Sequence, residues 1–163
     1  MGSTRTSGRG AGRRGGGEAA MPPLDDLLCH AIYVAGHAFT KVYKPLLAKL
    51  GLTYPQYLVM VALWEQDAQT VGSLGRRLAL ESSTLTPLLK RLETAKLLKR
   101  QRDPDDERQV VITLTERGRA LRADAVEVPA CIAAACEMSS SELGDLVARL
   151  KRLTETLERN AAP

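Results

Sequence analysis

The sequence predicts a mainly helical fold that carries one small β wing, on three observations. First, 44% of the 163 residues are hydrophobic but only 4% are aromatic. A core built from Leu, Val and Ala suits packed helices, and the length suits one domain with a real interior. Second, the stretch Thr70 to Thr115 holds two short amphipathic patterns followed by two strand-like runs around an acidic turn. Third, apolar residues recur at helical spacing near both ends of the chain, around Leu24 to Tyr43 and Leu143 to Leu157.

The central stretch is the most informative. Val71, Leu74 and Leu78 fall three and four apart, one buried stripe. In the next pattern Leu85, Leu88, Leu89 and Leu92 do the same, leaving Ser83, Thr84, Thr86, Pro87, Lys90 and Arg91 on the other face, with Ser82 just ahead. That face offers hydroxyls and cations, with no carboxylate until Glu93, and so suits phosphate oxygens and base edges in a major groove. Ser83 is the expected N-cap, which would cost Pro87 only the first intrahelical bond. Lys99, Arg100 and Arg102 then run into the turn Asp103-Pro104-Asp105-Asp106, and Arg108 opens an alternating strand from Gln109 to Leu114.

A hairpin directly after a helix-turn-helix is a wing, so the expected architecture is a winged helix-turn-helix. The wing tip would set Arg108 into a minor groove, with neighbouring carboxylates holding its guanidinium. A solvated helix and a surface hairpin would explain each part alone. The parts in this order favour double-stranded DNA as partner.

Taken from the N-terminus, residues 1–23 are rich in Gly, Ser and Arg and are expected to be a disordered basic tail. Residues 24–160 form the expected domain. Within it, 54–115 is the winged-helix part, and 24–50 and 116–160 are dimerisation helices. The first helix, from Leu24, is apolar on two sides, which asks for two packing partners, one of them a second subunit. Pro45 should kink or restart it and Gly51 should end it. Thr53 and Gln56 have the spacing of a capping box, as do Ser139 and Glu142. Thr115 should cap a helix through Leu121, which Pro129 interrupts. The last helix carries Leu143, Leu146, Val147, Leu150, Leu153 and Leu157 near heptad spacing, a second candidate dimer surface. Two-fold symmetry would place two recognition helices about 34–36 Å apart, matching a pseudo-palindromic operator.

Net charge is +4, of which residues 1–20 carry +3, so DNA affinity in the domain must come from local clustering. Three cysteines without a framework pattern suggest a reducing, cytoplasmic setting. No run approaches the about 20 apolar residues of a membrane span, and the N-terminus lacks the apolar core of a signal peptide. No catalytic constellation, cofactor loop or zinc spacing stands out. His30 and His37 are seven apart, and no close pair of ligands joins them or Cys29.

The stretch is similar to the winged-helix domain of MarR-type transcriptional regulators, whose wing signature appears as Asp106, Arg108, Leu114 and Thr115. The resemblance covers roughly Leu24 to Asn160. Within that family, Leu28-Cys29, Tyr33, the Tyr43 to Leu47 run, Thr53 to Tyr57 and Ser82 to Pro87 resemble the organic-hydroperoxide repressors, the OhrR group.

That resemblance implies that Cys29 is the peroxide-reactive thiol, that Tyr43 and Tyr54 hydrogen-bond near it, and that Tyr33 adds to the pocket. It implies a homodimeric repressor that releases its operator when Cys29 is oxidised by an organic hydroperoxide. A second thiol, Cys131 or Cys136, would capture the oxidised sulfur across the dimer, with Cys131 preferred. Without the resemblance, Cys29 reads as a small buried hydrophobe. Two rivals stand beside this reading. One is a MarR-type regulator relieved by a small aromatic ligand, with Cys29 unreactive. The other is a thiol peroxidase that uses Cys29 catalytically.

Overall fold

The computed structural model describes residues 21–104, 106 and 108–161. The tail expectation therefore falls almost wholly outside the described residues, as do Asp105 and Glu107 of the wing. Residues up to Gly36 form one compact unit and those from His37 onward another.

In the first unit the chain enters through a 3-10 turn, Leu24–Asp26, rather than through α-helix as the periodicity suggested. Leu27 is extended, and the long helix α1 (Leu28–Ala48) starts one residue later. The two acidic residues of the turn are Asp25 and Asp26, poor helix formers that favour turns and caps.

In the second unit α1 continues through Pro45, which neither ends nor restarts it. The stop is at Gly51, whose φ of +68° is the left-handed conformation glycine tolerates best. Leu52 N–H returns to Leu47 C=O at 3.1 Å and Gly51 N–H to Ala48 C=O at 3.1 Å, the paired bonds of a Schellman stop. Leu47 and Leu52 are both buried at that corner. Helix α2 (Tyr54–Glu65) begins where expected: Gln56 Oε1 accepts the Thr53 N–H at 2.8 Å and its hydroxyl at 3.0 Å.

A two-residue strand, β1 (Gln69–Thr70), leads into α3 (Val71–Leu78), with Thr70 Oγ1 capping the Ser73 N–H at 3.1 Å. Helix α4 (Ser82–Thr94) follows after a left-handed Ala79. Its N-cap is Glu81, not Ser83. Pro87 therefore lies deeper in the helix than expected, and Ser83 C=O is the carbonyl it leaves without an i+4 donor. Ser83 is exposed, so water can serve that carbonyl at small cost.

Strands β2 (Leu98–Arg102) and β3 (Val110–Leu114) form the wing, in register from Leu98↔Leu114 to Arg102↔Val110. β1 adds to β3 antiparallel, giving the order β1-β3-β2. Thr115 Oγ1 accepts the Gly118 N–H at 3.0 Å and so caps α5 (Glu116–Ala125). Pro129 sits in the first turn of the separate helix α6 (Val128–Ala135). The Ser139–Glu142 box, with bonds of 2.7, 2.8 and 3.3 Å, opens α7 (Ser140–Ala161).

One core holds this unit together. Leu47, Val59, Met60, Leu63, Leu74, Leu85, Leu89, Leu92, Leu98 and Ile112 are fully buried, each contributing about 1.5–3 kcal/mol of apolar burial. Val128 and Ile132 of α6 join it, whereas α7 has no buried residue.

Candidate nucleic-acid interface and thiol site

The core fixes which face of α4 looks outward. Leu85, Leu89 and Leu92 point in, so Ser82, Ser83, Thr84, Lys90 and Arg91 are exposed, with Thr86 half-buried. The first turn of α4 carries no acidic residue, and the N-cap Glu81 places one exposed carboxylate at that end. Glu93, the first carboxylate within the helix, is turned inward: its Oε1 accepts the Arg100 N–H at 3.0 Å, and its Oε2 lies 3.9 Å from the Arg100 guanidinium. This ties the end of the recognition helix to the first wing strand.

At the wing tip Arg108 is exposed. The Asp106 carboxylate accepts the Arg108 backbone N–H at 3.1 Å and the Gln109 amide at 3.0 Å, while Gln109 N–H reaches Asp106 C=O at 2.8 Å. Asp106 thus holds the backbone of the turn. The Gln109 amide and then the Arg108 N–H keep this carboxyl below its ordinary pKa.

All three cysteines are free thiols; Cys29 and Cys131 are exposed and Cys136 is half-buried. In the first unit Cys29 stands on α1 with Tyr33, also exposed, one helical turn further on the same face. In the second unit Tyr43 and Tyr54 come together with ring centroids 4.6 Å apart. Tyr57, which sequence reasoning did not select, completes the cluster 5.8 Å from Tyr43; its signal was its position three residues after Tyr54 on one helix.

Burial first, then Tyr54, Tyr57 and the Cys136 thiol, push the Tyr43 phenol up to about 12. Burial and then Tyr54 raise Tyr57 as well. At neutral pH Tyr43 therefore stays a hydrogen-bond donor. Cys136 packs against the same core and acts on Tyr43, whereas Cys131 faces outward.

Among the described residues no three His, Cys, Asp or Glu side chains gather in a way that could hold a metal ion. His30 lies 3.8 Å from Asp25. No described helix is long and apolar enough to cross a membrane.

Comparisons with known proteins agree with this geometry. The family described as transcriptional regulator SarA/Rot matches residues 41–124. An organic hydroperoxide resistance transcriptional regulator of Bacillus subtilis is 45% identical over 136 residues, spanning 83% of this chain and 92% of that protein. The reduced, DNA-bound structure of AbfR, a protein of Staphylococcus epidermidis, aligns with a TM-score of 0.74 at 36% identity, covering 85% of this chain and 95% of the other. The disulfide form of AbfR aligns less well, with a TM-score of 0.57 at 37% identity, covering 83% and 90%. By winged-helix architecture, recognition helix and relatives alike, the chain belongs to the MarR-type transcriptional regulators, in the SarA/Rot family.

Proposed function

We propose that the protein is a homodimeric transcriptional repressor that binds a pseudo-palindromic operator and releases it when an organic hydroperoxide oxidises Cys29. The likeness to the Bacillus subtilis hydroperoxide regulator over nearly its whole length carries this reading. Three structural facts support it.

The outward face of α4 and the exposed Arg108 offer hydroxyl and cationic contacts suited to a major groove and an adjacent minor groove. Ser82, Ser83, Thr84, Thr86, Lys90 and Arg91 are the proposed groove residues. α7 leaves Leu146, Val147, Leu150 and Leu157 at 42–57% exposure, and α1 leaves Leu28 and Ile32 at 61% and 43%. A second copy of the chain would cover such surfaces. Finally, Tyr43, packed against Tyr54, supplies a phenol donor that stays protonated in the pH range where a thiolate forms.

The chemistry balances without a cofactor. The Cys29 thiolate attacks the terminal peroxide oxygen, the O–O bond breaks, and the departing alkoxide takes up a proton to leave as the alcohol. Sulfur loses two electrons and becomes a sulfenic acid. Attack by a second thiol then forms a disulfide and expels water. Cys131 is the proposed second thiol because it is exposed, whereas Cys136 is engaged with the tyrosine cluster. Tyr33, Tyr43 and Tyr54 are the proposed pocket residues. The setting is the cytoplasm, where a repressor meets its DNA.

The test uses a duplex enriched by the wild-type protein from a randomised pool, with binding measured before and after stoichiometric cumene hydroperoxide. Wild type should release the duplex; Cys29→Ser should bind it normally and keep it. On a non-reducing gel the oxidised wild type should run as a covalent dimer, and Cys131→Ser should not. A Cys29→Ser protein that still releases DNA would remove the thiol switch and leave the winged-helix assignment in place.

A further inference from the structure

The wing is pinned at its base by one acidic residue that the DNA-binding face does not include. Asp67 lies between α2 and β1, remote in sequence from the strand and helix it holds. Its Oδ1 accepts the Leu114 N–H at the end of β3 at 2.8 Å, and also the neighbouring Ala68 N–H at 2.8 Å. Its Oδ2 accepts the Arg119 guanidinium of α5 at 2.9 Å. One carboxylate therefore spans the end of α2, the last residue of the wing and the first turns of α5.

Two further contacts make the same joint stiff. Trp64 Nε1 donates to Gly118 C=O at 2.8 Å, joining α2 to α5 beside Asp67. Gly118 approaches the Leu97 carbonyl so closely that a Cβ there would collide with that oxygen. Leu97 directly precedes β2, and Thr115, the cap of α5, donates to Lys96 C=O at 2.7 Å. Both wing strands are thus fixed to α5 at their base, and Asp67 is the charged member of the joint. The helix they are fixed to is the one through which the chain continues to α6 and α7.

The geometry of the hairpin makes this base matter at the tip. Five strand residues span about 17 Å. A tilt of about 10° at the base would then displace the tip by about 3 Å, the length of a hydrogen bond. We infer that Asp67 is a positioning residue for DNA binding: by holding β3 against α5 it sets where Arg108 meets the duplex. The inference rests on the proposed wing contact of Arg108.

A double-mutant cycle tests it, with the enriched duplex described above and full-length protein. Asp67→Ala should weaken binding about tenfold, the scale of one lost specific contact. In that background Arg108→Ala should cost less than about twofold more, because the tip no longer reaches its site. The dependence of log K on log salt should become shallower by about one in Asp67→Ala, as it does in Arg108→Ala alone. Thermal unfolding and circular dichroism establish that the variants are folded. If Asp67→Ala fails to fold, Asp67→Asn carries the cycle, since it keeps an oxygen for the Leu114 N–H while losing the charge that faces Arg119, and about threefold weakening is expected there.

Additive losses, or a folded Asp67 variant that binds as wild type with an unchanged salt slope, overturn the positioning role. An Arg108→Ala single variant with wild-type affinity overturns the wing contact itself, and Asp67's role with it.

Discussion

Helix α4 and helix α7 are both amphipathic, yet they dispose of their apolar residues in opposite ways. In α4, Leu85, Leu89 and Leu92 are completely buried within the same chain, so its polar face is the only one left to meet a partner. In α7, a helix of 22 residues, no side chain is buried and the leucine stripe stays open. The first arrangement presents a rigid reading head. The second leaves about 1.5–3 kcal/mol per large side chain unrealised until something covers it. Stability of the DNA-binding part is thus intrinsic to one chain, whereas that of the terminal helix depends on association.

Variants on either side sharpen this contrast. The largest effect is expected from Leu89→Ala, which empties a fully buried site and should destabilise the chain by about 2–5 kcal/mol in urea unfolding, independently of protein concentration. Leu150→Asp should leave the folded winged-helix part intact and raise the dimer dissociation constant at least about tenfold, read by sedimentation and by a melting temperature that depends on concentration. If the two variants behaved alike, with concentration-independent loss in both, the division between intrinsic and associative stability would be wrong.

A smaller effect should appear at high pH. The Tyr43 phenol is raised to about 12 by burial, by its tyrosine neighbours and by Cys136. The unfolded chain therefore loses that proton near the ordinary 10.0 while the native state keeps it. Tyr43 thus contributes stability that is present below about 10 and lost as pH climbs toward about 12. Tyr43→Phe should flatten the fall of stability across that window, and near-ultraviolet absorbance should show one fewer late-ionising tyrosine in the variant, Tyr57 being raised as well.

The smallest expected gain is in the turn between α3 and α4. Ala79 sits at φ +51°, where a Cβ is unfavourable, so Ala79→Gly should stabilise the protein by about 0.5–1 kcal/mol with unchanged DNA affinity.

These details also explain what the sequence could disclose. Helix starts set by side-chain caps were legible because the chemistry is local: Thr53 with Gln56, Thr115, and Ser139 with Glu142 all cap where their spacing says. Gly51 was legible for the same reason. The stops at Ala79 and Lys96 were not, since both residues occupy the left-handed region without being glycine. Their helices end instead through long bonds, from Leu80 to Gly75 at 2.9 Å and from Leu97 to Leu92 at 3.0 Å. β1 is two residues long, too short to show a period, and exists because Gln69 and Thr70 find Ile112 and Val111 far along the chain.

The same distinction runs through the functional surface. The outward face of α4 followed from leucine spacing, because whatever a helix does not bury it exposes. Asp67 and Glu93 gave no such sign. Each is a single carboxylate whose role depends on a backbone N–H seven or more residues away, 2.8 Å from Asp67 and 3.0 Å from Glu93. Tyr57 lay between these cases: its helical spacing from Tyr54 was visible, but its 5.8 Å approach to Tyr43 depends on the packing of α2 against α1.

Trp64 is the only tryptophan in the chain. Its indole N–H is bound to the Gly118 carbonyl, and its ring meets Tyr57 edge-on at 6.4 Å. The molecule therefore carries a native optical probe at the joint between wing and helix, in line with the tyrosine cluster. Emission colour follows the polarity and hydrogen bonding of the indole, and emission intensity follows energy transfer from the tyrosines. A change at this joint can be followed by light alone, on unlabelled protein, with both of its ends reporting through one chromophore.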